Sequence, residues 1–478
     1  MSREQGSQLR QTIRISIAEG LFSQLYTGLA GAGSVFVTKL AGLLGAQPFH
    51  YGLLFAIGQL SQIFQPLGVA ITRGLTARKK AVITLAALGR GLTPLFGLIP
   101  LLFGRQSLGL FLAAFFVATS LLAMSANAWM GWIGDMVPNR IRGRFFAKRN
   151  QVLMIIGLLG GYVFAAGIDL FDTNPGPAGR LLRSILDTGN LVPYSKWAFF
   201  FLFLIAGILG IAGLFILRRQ PERVKVVETE PLSKMLMTPF GDPNFRRLAV
   251  WGVWWTMAIG IGAPFWQPFM IDQLRMSVLM IMVYGTISTF AGMASLRAWG
   301  RLIDRYGNKT SMRISTVMSA VSPIPWLFAS PSRLWLIYCE AVVSGILWSG
   351  AGIVSTNFVL SIAPPGKQQS YSGVFAAVSG FGMVVTMILF SAVMPPPVAI
   401  SGFRLHPMQV LFLGTALARL SALVPLARVR EDITTPFTVV IRRVQQFAIV
   451  RVLALTAIVS RRRSTPEDHA AGLRDDLN

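Results

Sequence analysis

The sequence predicts an all-helical protein that crosses a membrane twelve times, and three observations lead to this expectation. Of its 478 residues, 53% are hydrophobic and only 13% are charged, and the mean hydropathy is +0.58, which is too apolar for a soluble domain. Apolar stretches of about 18 residues or more recur along the chain, and each is long enough to cross a hydrocarbon core about 30 Å thick. Basic residues are concentrated in alternate connections between these stretches, as they are in membrane proteins.

The apolar stretches fall into two groups of six. The expected spans lie at residues 16–42, 50–71, 81–103, 108–134, 151–170, 197–217, 248–271, 277–299, 311–330, 334–362, 371–394 and 408–427. We therefore expect a six-helix bundle at 16–217 and a second one at 248–428, joined by a central loop at 218–247. Residues 1–15 and 429–478 form the two tails, and an even number of spans places both tails on the same side of the membrane.

The basic residues indicate which side this is. The five connections on one side hold 21 Lys and Arg residues, whereas the six on the other side hold 7. Cytoplasmic loops carry the excess in membrane proteins, so we expect both termini in the cytoplasm and the chain in the inner (plasma) membrane of a cell. The net charge of +25 is then a topology signal with contacts to anionic lipids, and not a surface that binds nucleic acid.

The C-terminal tail contains one further apolar stretch, at residues 437–460. It is interrupted by Arg442, Arg443 and Arg451, and an Arg in the middle of a span costs several kcal/mol. We therefore expect an amphipathic helix that lies on the cytoplasmic face, and not a thirteenth span.

Cysteine and histidine are too sparse to support metal or nucleophile chemistry. The single cysteine, Cys339, excludes a disulfide within the chain, and the three histidines (His50, His406 and His469) are far apart in sequence. No Gly-Xaa-Ser-Xaa-Gly elbow and no phosphate-binding loop occurs either. We expect no cofactor, no metal site and no catalytic residues, and so a protein that is not an enzyme.

A short motif is repeated between the two halves. The copy between spans eight and nine is Gly300–Lys309, and the copy between spans two and three is Gly68–Arg73, followed by three further basic residues. Each begins with a Gly and three other residues; the acidic residue that follows in the second half is Asp304, and Thr72 stands in its place in the first half. The two copies lie almost half the chain apart, which indicates a parallel duplication of a six-span unit.

These motifs carry a family resemblance. Gly300–Lys309 resembles the signature loop of the major facilitator superfamily, which has a Gly, three residues, Asp-Arg, one residue, a Gly and then basic positions. Shorter resemblances to bacterial members occur in span one, at the opening of span two and in the loop after span four, at Glu19-Gly20, Leu44–Ala46, Tyr51–Leu54 and Asp135–Gly143. The resemblance covers roughly residues 12–428. It implies two pseudo-symmetric six-helix bundles with cytoplasmic termini that transport a solute by rocking of one half against the other.

The resemblance also implies a gate at the cytoplasmic ends of the helices. Charged pairs within the signature loops would hold the outward-facing state and break when the halves rock. The alternative is that the basic residues only anchor lipid headgroups. The gating candidates are Gly300, Asp304, Arg305, Gly307, Lys309, Asp135, Arg140, Arg144, Gly68 and Arg73.

In the resembled family, spans one, four, seven and ten line a central cavity and spans three, six, nine and twelve are peripheral. The candidate cavity residues are Glu19, Gln24, Tyr26, Gln62, Asn127, Trp129, Trp254, Trp255, Trp266, Gln267, Glu340, Trp348 and Asn357. Gln62 belongs to a polar stripe on span two that could face the cavity or join helices. Arg90 and Arg419, on spans three and twelve, are assigned structural roles such as pairing with backbone carbonyls.

Tryptophan rings and amides together suit a sugar-like or amphipathic solute, because a ring stacks on an apolar face while amides bind hydroxyls. Glu19 and Glu340 are the candidates for proton coupling, with pairing to a nearby Lys or Arg as the alternative. The sequence thus predicts a proton-coupled secondary transporter of a small organic solute, which we expect to be monomeric. A fold of this kind that has lost transport and acts as a scaffold or assembly factor for a partner protein is the second hypothesis.

Overall fold

The computed structural model describes residues 3–64, 78–137, 139–187, 189–222, 232–364, 367–400 and 403–431. These residues form helices throughout, except for one short antiparallel hairpin in which Val398 pairs with Leu405 and Ile400 with Phe403. The predicted surface helix at 437–460 and the motif residues Gly68 and Arg73 lie outside the described residues.

The described part of the first half contains nine α-helices. They are α1 (Arg3–Ala30), α2 (Val35–Leu43), α3 (Pro48–Leu60), α4 (Lys79–Gly91), α5 (Thr93–Phe103), α6 (Leu108–Met136), α7 (Asn139–Asp169), α8 (Pro177–Ile185) and α9 (Ser195–Leu217). Short 3-10 turns at Ser61–Phe64, Gly104–Ser107 and Val192–Tyr194 extend or join them.

Within its described residues, the second half contains nine more helices and the hairpin. The helices are α10 (Leu232–Met237), α11 (Pro243–Gly260), α12 (Trp266–Pro268), α13 (Val278–Val321), α14 (Ile324–Leu327), α15 (Trp335–Ile362), α16 (Gln368–Ala392), α17 (Pro407–Ser421) and α18 (Leu423–Arg428). The strands are β1 (Val398–Ile400) and β2 (Phe403–Leu405). Irregular turns at Thr238–Gly241, Ala263–Phe265 and Phe269–Gln273 complete the region.

Nine helices within the described residues are long and apolar enough to cross a membrane. One of them, Val278–Leu327, covers predicted spans eight and nine, because α13 runs through the connection between them and is broken at Gly307. Gly307 has a φ of +81°, a conformation that a residue with a side chain rarely adopts. The nine helices therefore account for ten of the twelve predicted spans, and the number twelve and the side of the termini stay predictions.

The two remaining spans differ from the expected continuous helices. Span one is split into α1 and α2 by a turn at residues 31–34, in which Gly33 has a φ of +85°. The Oγ of Ser34 donates to the carbonyls of Gly28 at 2.8 Å and Leu29 at 2.9 Å, so the end of α1 keeps its acceptors satisfied. Span two is described only as far as Phe64.

The two halves pack against each other at one end of the molecule. One apolar core there draws residues from both halves, among them Phe36, Phe199, Phe269 and Phe412. At the opposite end the cores are separate: one lies around Trp132 and Leu217 in the first half, and another around Phe245 and Trp255 in the second. The halves are therefore joined at one end and apart at the other, and a cavity lies between them.

Hydrogen bonds across the closed end hold this arrangement. The Oγ1 of Thr38 donates to Gln267 Oε1 at 2.7 Å, and the Nε2 of the same glutamine donates to the carbonyl of Gly33 at 2.8 Å. The backbone N–H of Val278 donates to Asp169 Oδ1 at 3.0 Å, so a carboxylate of the first half caps a helix of the second. Each bond joins residues more than a hundred positions apart, so the closed end depends on tertiary packing.

Candidate functional site

A central cavity of about 830 Å³ lies between the two halves. Both contribute to its wall: α1 and α7 from the first half, and α11 to α15 and α17 from the second. Its volume lies within the range of cavities that enclose small organic ligands. Five of the sequence-predicted residues line it, namely Gln24, Trp266, Gln267, Glu340 and Trp348.

Glu340 is the buried carboxyl group of this cavity, with only 3% of the residue exposed. Its Oε2 accepts a hydrogen bond from the hydroxyl of Tyr284 at 2.9 Å, and its Oε1 accepts one from Ser322 at 2.7 Å. Both partners are neutral hydroxyl groups, so they can bind the acid form as well as the carboxylate by reversing a donor. No sequence pattern pointed to Tyr284 or Ser322, because they come from other helices.

Arg419 also reaches the cavity, although its predicted peripheral span had assigned it a structural role only. It is 1% exposed, and its Nη1 donates to the backbone carbonyl of Ser319 at 2.9 Å, which is the kind of contact expected for a structural Arg. Its guanidinium also lies over the ring of Trp348, 5.3 Å from the centroid, and both residues line the cavity. Arg419 therefore places a positive charge at the aromatic wall.

The aromatic wall consists of Trp266, Trp326 and Trp348 with Tyr284. Trp266 stacks on Phe412 with 3.8 Å between the ring centroids and meets Trp326 edge to face at 4.7 Å. These contacts fix the planes of the Trp266 and Trp326 rings, since each ring packs against other aromatic rings. Trp326 was missed in the sequence because it lies at the end of a span that the resemblance makes peripheral.

Gln267 lines the cavity at its closed end, but both the oxygen and the nitrogen of its amide take part in hydrogen bonds between the halves. The oxygen accepts from Thr38 and the nitrogen donates to Gly33, both across the two halves. Gln24 and Asn150 also line the cavity, and Gly157 allows the side chain of Gln24 to approach α7 closely. Gln267 is thus a closing contact, and Gln24 and Asn150 are the amides placed to meet a solute.

Glu19, Tyr26 and Trp129 line a second cavity, of about 260 Å³, which lies within the first half. We call this the side cavity; it shares Thr27 and Arg149 with the central one. Glu19 is 4% exposed and lies between two guanidinium groups, with Arg90 Nη2 at 3.3 Å from Oε1 and Arg149 Nη2 at 3.8 Å from Oε2. The pairing of Glu19 with Arg is the alternative that the sequence left open.

The other predicted residues line neither cavity. They are Gln62, Asn127, Trp254, Trp255 and Asn357. Trp255 is buried against Trp251, with nearly parallel rings 6.3 Å apart, and Trp254 donates through Nε1 to Ser421 at 2.8 Å. The helices that carry these residues are correctly predicted, but a helix presents only part of its circumference to a cavity, and the sequence did not indicate which part.

The signature loop of the second half lies at the open end. Asp304 and Arg305 are exposed there, and the guanidinium of Arg305 lies 5.5 Å from the ring centroid of Tyr306. Lys309 instead donates through Nζ to the carbonyls of Ala427 at 2.9 Å and Val429 at 2.6 Å. Gly300 has open space around its Cα. The side chains of Asp135, Arg140 and Arg144 lie outside the described part of the chain.

Several solved structures are similar in fold to this chain. A point mutant of the nucleoside transporter NupG matches with a TM-score of 0.65 and 12% identity over 88% of this chain and 100% of its own. A D-xylose–proton symporter matches at 0.63 and 12% over 88% and 98%, and the inward-open xylose transporter XylE from E. coli at 0.61 and 13% over 88% and 96%. At these identities the likeness shows the fold.

Sequence comparison gives the family. No curated protein matches the sequence significantly. The family model described as Major Facilitator Superfamily, however, matches residues 21–387, which is more than half of the chain. The chain therefore belongs to the major facilitator superfamily, and it is a membrane transporter and not an enzyme.

Proposed function

We propose that this protein is a secondary active transporter that moves a small organic solute, sugar-like or amphipathic, by rocker-switch alternating access. The observation that carries the proposal is the central cavity of about 830 Å³, which lies between two packed halves and is closed at one end by hydrogen bonds. A cavity that both halves line changes its accessible side when the halves rock, because the wall is common to both.

The cavity wall supports a solute that has an apolar face and polar groups. Trp266, Trp326 and Trp348 offer ring surfaces, and Gln24 and Asn150 offer amides. Ring faces bind the apolar side of a sugar or a planar ring, and amides can donate and accept hydrogen bonds with hydroxyl groups. Similarity in fold to nucleoside and xylose transporters accords with a solute of this size.

The distribution of basic residues supports an orientation. The connections at 139–149 and 300–313, which belong to the basic side, lie at the open end, whereas the turn at 31–34 and the start of α13 lie at the closed end. With the basic side in the cytoplasm, the closed end is external and the structure is the inward-facing state. The exposed Asp304 then fits a latch that is broken in this state.

Glu340 is the better supported candidate for proton coupling. It lines the central cavity, and the hydroxyl groups of Tyr284 and Ser322 donate hydrogen bonds to it. Glu19 lies instead in the side cavity, where it pairs with Arg90 and Arg149. We therefore propose that Glu340 takes up and releases the proton that drives transport.

The same orientation indicates which lipids the protein contacts. The basic connections at the open end are placed to contact the headgroups of anionic lipids in the inner membrane. We propose that the protein works there as a monomer, because each six-helix half packs against the other and together they enclose the cavity.

Flux through liposomes tests the proposal. Purified protein in liposomes should accumulate sugars or nucleosides from a mixed panel when the interior is more alkaline than the outside, and much less without the gradient. Glu340→Gln should abolish accumulation while exchange of solute persists, and Asp187→Asn, which changes an exposed carboxylate away from both cavities, should behave as wild type. Folded protein that moves no solute and co-purifies with a stable partner would instead identify a scaffold.

A further inference from the structure

The side cavity carries a net positive charge that the described residues do not balance. Among the described residues that line it, Arg90 and Arg149 are basic and Glu19 is the acidic one. One carboxylate between two guanidinium groups leaves one positive charge over. An unbalanced buried charge is costly, and a ligand of opposite charge would relieve that cost.

Arg90 is held firmly by contacts that leave part of it free. Its Nη1 donates to the carbonyl of Gly210 at 2.7 Å and its Nη2 to Ser23 Oγ at 2.9 Å. Gly210 permits this approach, because a Cβ at that position would lie 2.9 Å from Arg90 Cδ. Arg90 is 7% exposed, yet its Nε has no hydrogen-bond partner. The guanidinium of Arg90 is therefore held in place by its contacts, and its Nε–H donor has no acceptor.

Arg149 and Trp129 provide the neighbouring donors. The guanidinium of Arg149 lies over the ring of Trp129, 4.9 Å from its centroid, and Arg149 Nε donates to the carbonyl of Ser16 at 3.2 Å. Its Nη2 is 3.8 Å from Glu19, beyond hydrogen-bond distance. The indole Nε1 of Trp129 is buried and also has no partner. Buried donors without an acceptor are rare and call for an explanation.

We infer that the side cavity is the subsite for an oxyanion group, a carboxylate or phosphate, of the transported solute. This inference rests on the proposed function and adds the charge of the solute to it. Arg149 and Thr27 line both cavities, so a solute can extend from the side cavity into the central one. Its oxyanion then meets the side chains of Arg90, Trp129 and Arg149, which line the side cavity, and its apolar part meets the aromatic wall.

Binding to purified protein in a non-ionic detergent tests the inference. The probes are two anions, benzoate and phenyl phosphate, and two neutral analogues, benzamide and phenyl glucoside, each titrated by calorimetry. A hydrogen-bonded charge pair at a buried site should make the anions bind at least about tenfold more tightly than the neutral analogues. Equal or tighter binding of the neutral analogues, or no binding of either anion to folded protein, would overturn the subsite.

Variants identify the residue responsible. Arg149→Gln should remove the preference for the anions, and Arg149→Lys, which keeps the charge, should retain much of it. Arg301→Gln removes an exposed charge outside both cavities and should leave the preference unchanged. Size-exclusion profiles and tryptophan fluorescence check that each variant is folded. An unchanged anion preference in folded Arg149→Gln contradicts the inference.

Two further experiments are needed. One distinguishes a lipid headgroup from a transported solute as the source of the oxyanion, and the other distinguishes failure of this inference from failure of the proposed function. Phosphatidylglycerol that displaces phenyl phosphate at stoichiometric amounts would assign the subsite to a lipid headgroup and overturn its assignment to the solute. In liposomes, flux of neutral solutes without flux of anions leaves transport intact and defeats this inference. Tight anion binding without any flux supports the anion subsite and defeats the proposed transport.

Discussion

The carboxylate of Glu431 accepts a hydrogen bond from the backbone N–H of Lys309 at 2.7 Å, and the side chain of Lys309 reaches back to the carbonyl of Val429 at 2.6 Å. Glu431 also accepts from the N–H of Asn308 at 2.9 Å, directly after the break at Gly307. The free N–H groups at the start of one helical stretch and the free carbonyls at the end of α18 are thus satisfied together.

The first half has the same arrangement. Glu222, just after α9, accepts from the backbone N–H groups of Arg78 and of Lys79, the latter at 2.7 Å, where α4 begins. The Nζ of Lys79 donates to the carbonyl of Gln220 at 3.0 Å. The internal repeat therefore extends beyond the signature loops to the residues that follow the sixth and twelfth spans.

Removing this cap should lower stability. Glu431→Ala leaves the N–H groups of Asn308 and Lys309 without their acceptor, and loss of a helix cap costs about 1 kcal/mol. We expect a melting temperature a few degrees lower in detergent, measured by the fluorescence of unfolding. Asp304→Ala removes an exposed carboxylate of the same loop and should change it much less. Equal melting temperatures for the two variants would show that the cap contributes nothing.

The bond between Asp169 and Val278 should set the balance between the two transport states. Asp169→Ala removes the cap that the first half places on α13, so the closed end should open more readily. In a Cys339→Ser background, Asn150→Cys, at an exposed position that lines the central cavity, should then react more slowly with a membrane-impermeant maleimide. Thr173→Ala, in the loop that follows, is the control. Unchanged labelling would show that the cap formed by Asp169 has no effect on the balance between the two states.

Asp304 should act in the opposite direction. If it holds the state that is closed at the basic end, Asp304→Asn destabilises that state and increases the labelling of the same cysteine, Asn150→Cys. Arg301→Gln, an exposed change one turn earlier on α13, should have little effect. An increase with Asp304→Asn and a decrease with Asp169→Ala would place the two residues at opposite ends of one equilibrium. Unchanged labelling in Asp304→Asn would leave it without a gating role.

Much of the fold could be predicted from the sequence, because the bilayer imposes length and polarity on each span. The range 197–217 coincides closely with α9, and 151–170 coincides with the apolar part of α7, Lys148–Asp169. Spans eight and nine are two helices, as predicted, but the sequence did not indicate that a single non-helical residue, Gly307, separates them. The polar residues around Gly307 signal a connection, but helical geometry on both sides of one glycine depends on capping by Glu431, far away in sequence.

The site was predictable only in part. Glu340, Trp266 and Trp348 were identified because polar and aromatic residues on the expected inner spans are few enough to be noticed. Trp326 was missed because it lies on a span expected at the periphery, and Arg149 because it was counted among the basic residues of a cytoplasmic connection. Whether a residue faces the cavity depends on how its helix is rotated about its axis. In a span that is apolar on all sides, the sequence gives no indication of that rotation.

His406 should make stability depend on pH at the closed end. Its Nδ1 accepts a hydrogen bond from the N–H of Met408 at 3.3 Å as the cap of α17, and its own backbone N–H donates to Gln409 Oε1 at 2.9 Å. Burial lowers the pKa of His406 below its ordinary value of 6.5, because the charged imidazole is poorly solvated there. A protonated ring also cannot accept the bond and places a positive charge at a helix N-terminus.

The sign of the effect follows from the lowered pKa. The unfolded chain binds the proton more tightly than the folded one, so the stability due to neutral His406 is complete above about pH 6.5 and is lost as the pH falls through the folded pKa. His406→Asn keeps a capping side chain that does not titrate, so its melting temperature should fall less between about pH 7.5 and 5.5. His50→Asn retains His406 and should follow the wild type; a parallel fall in His406→Asn would assign the pH dependence to other groups.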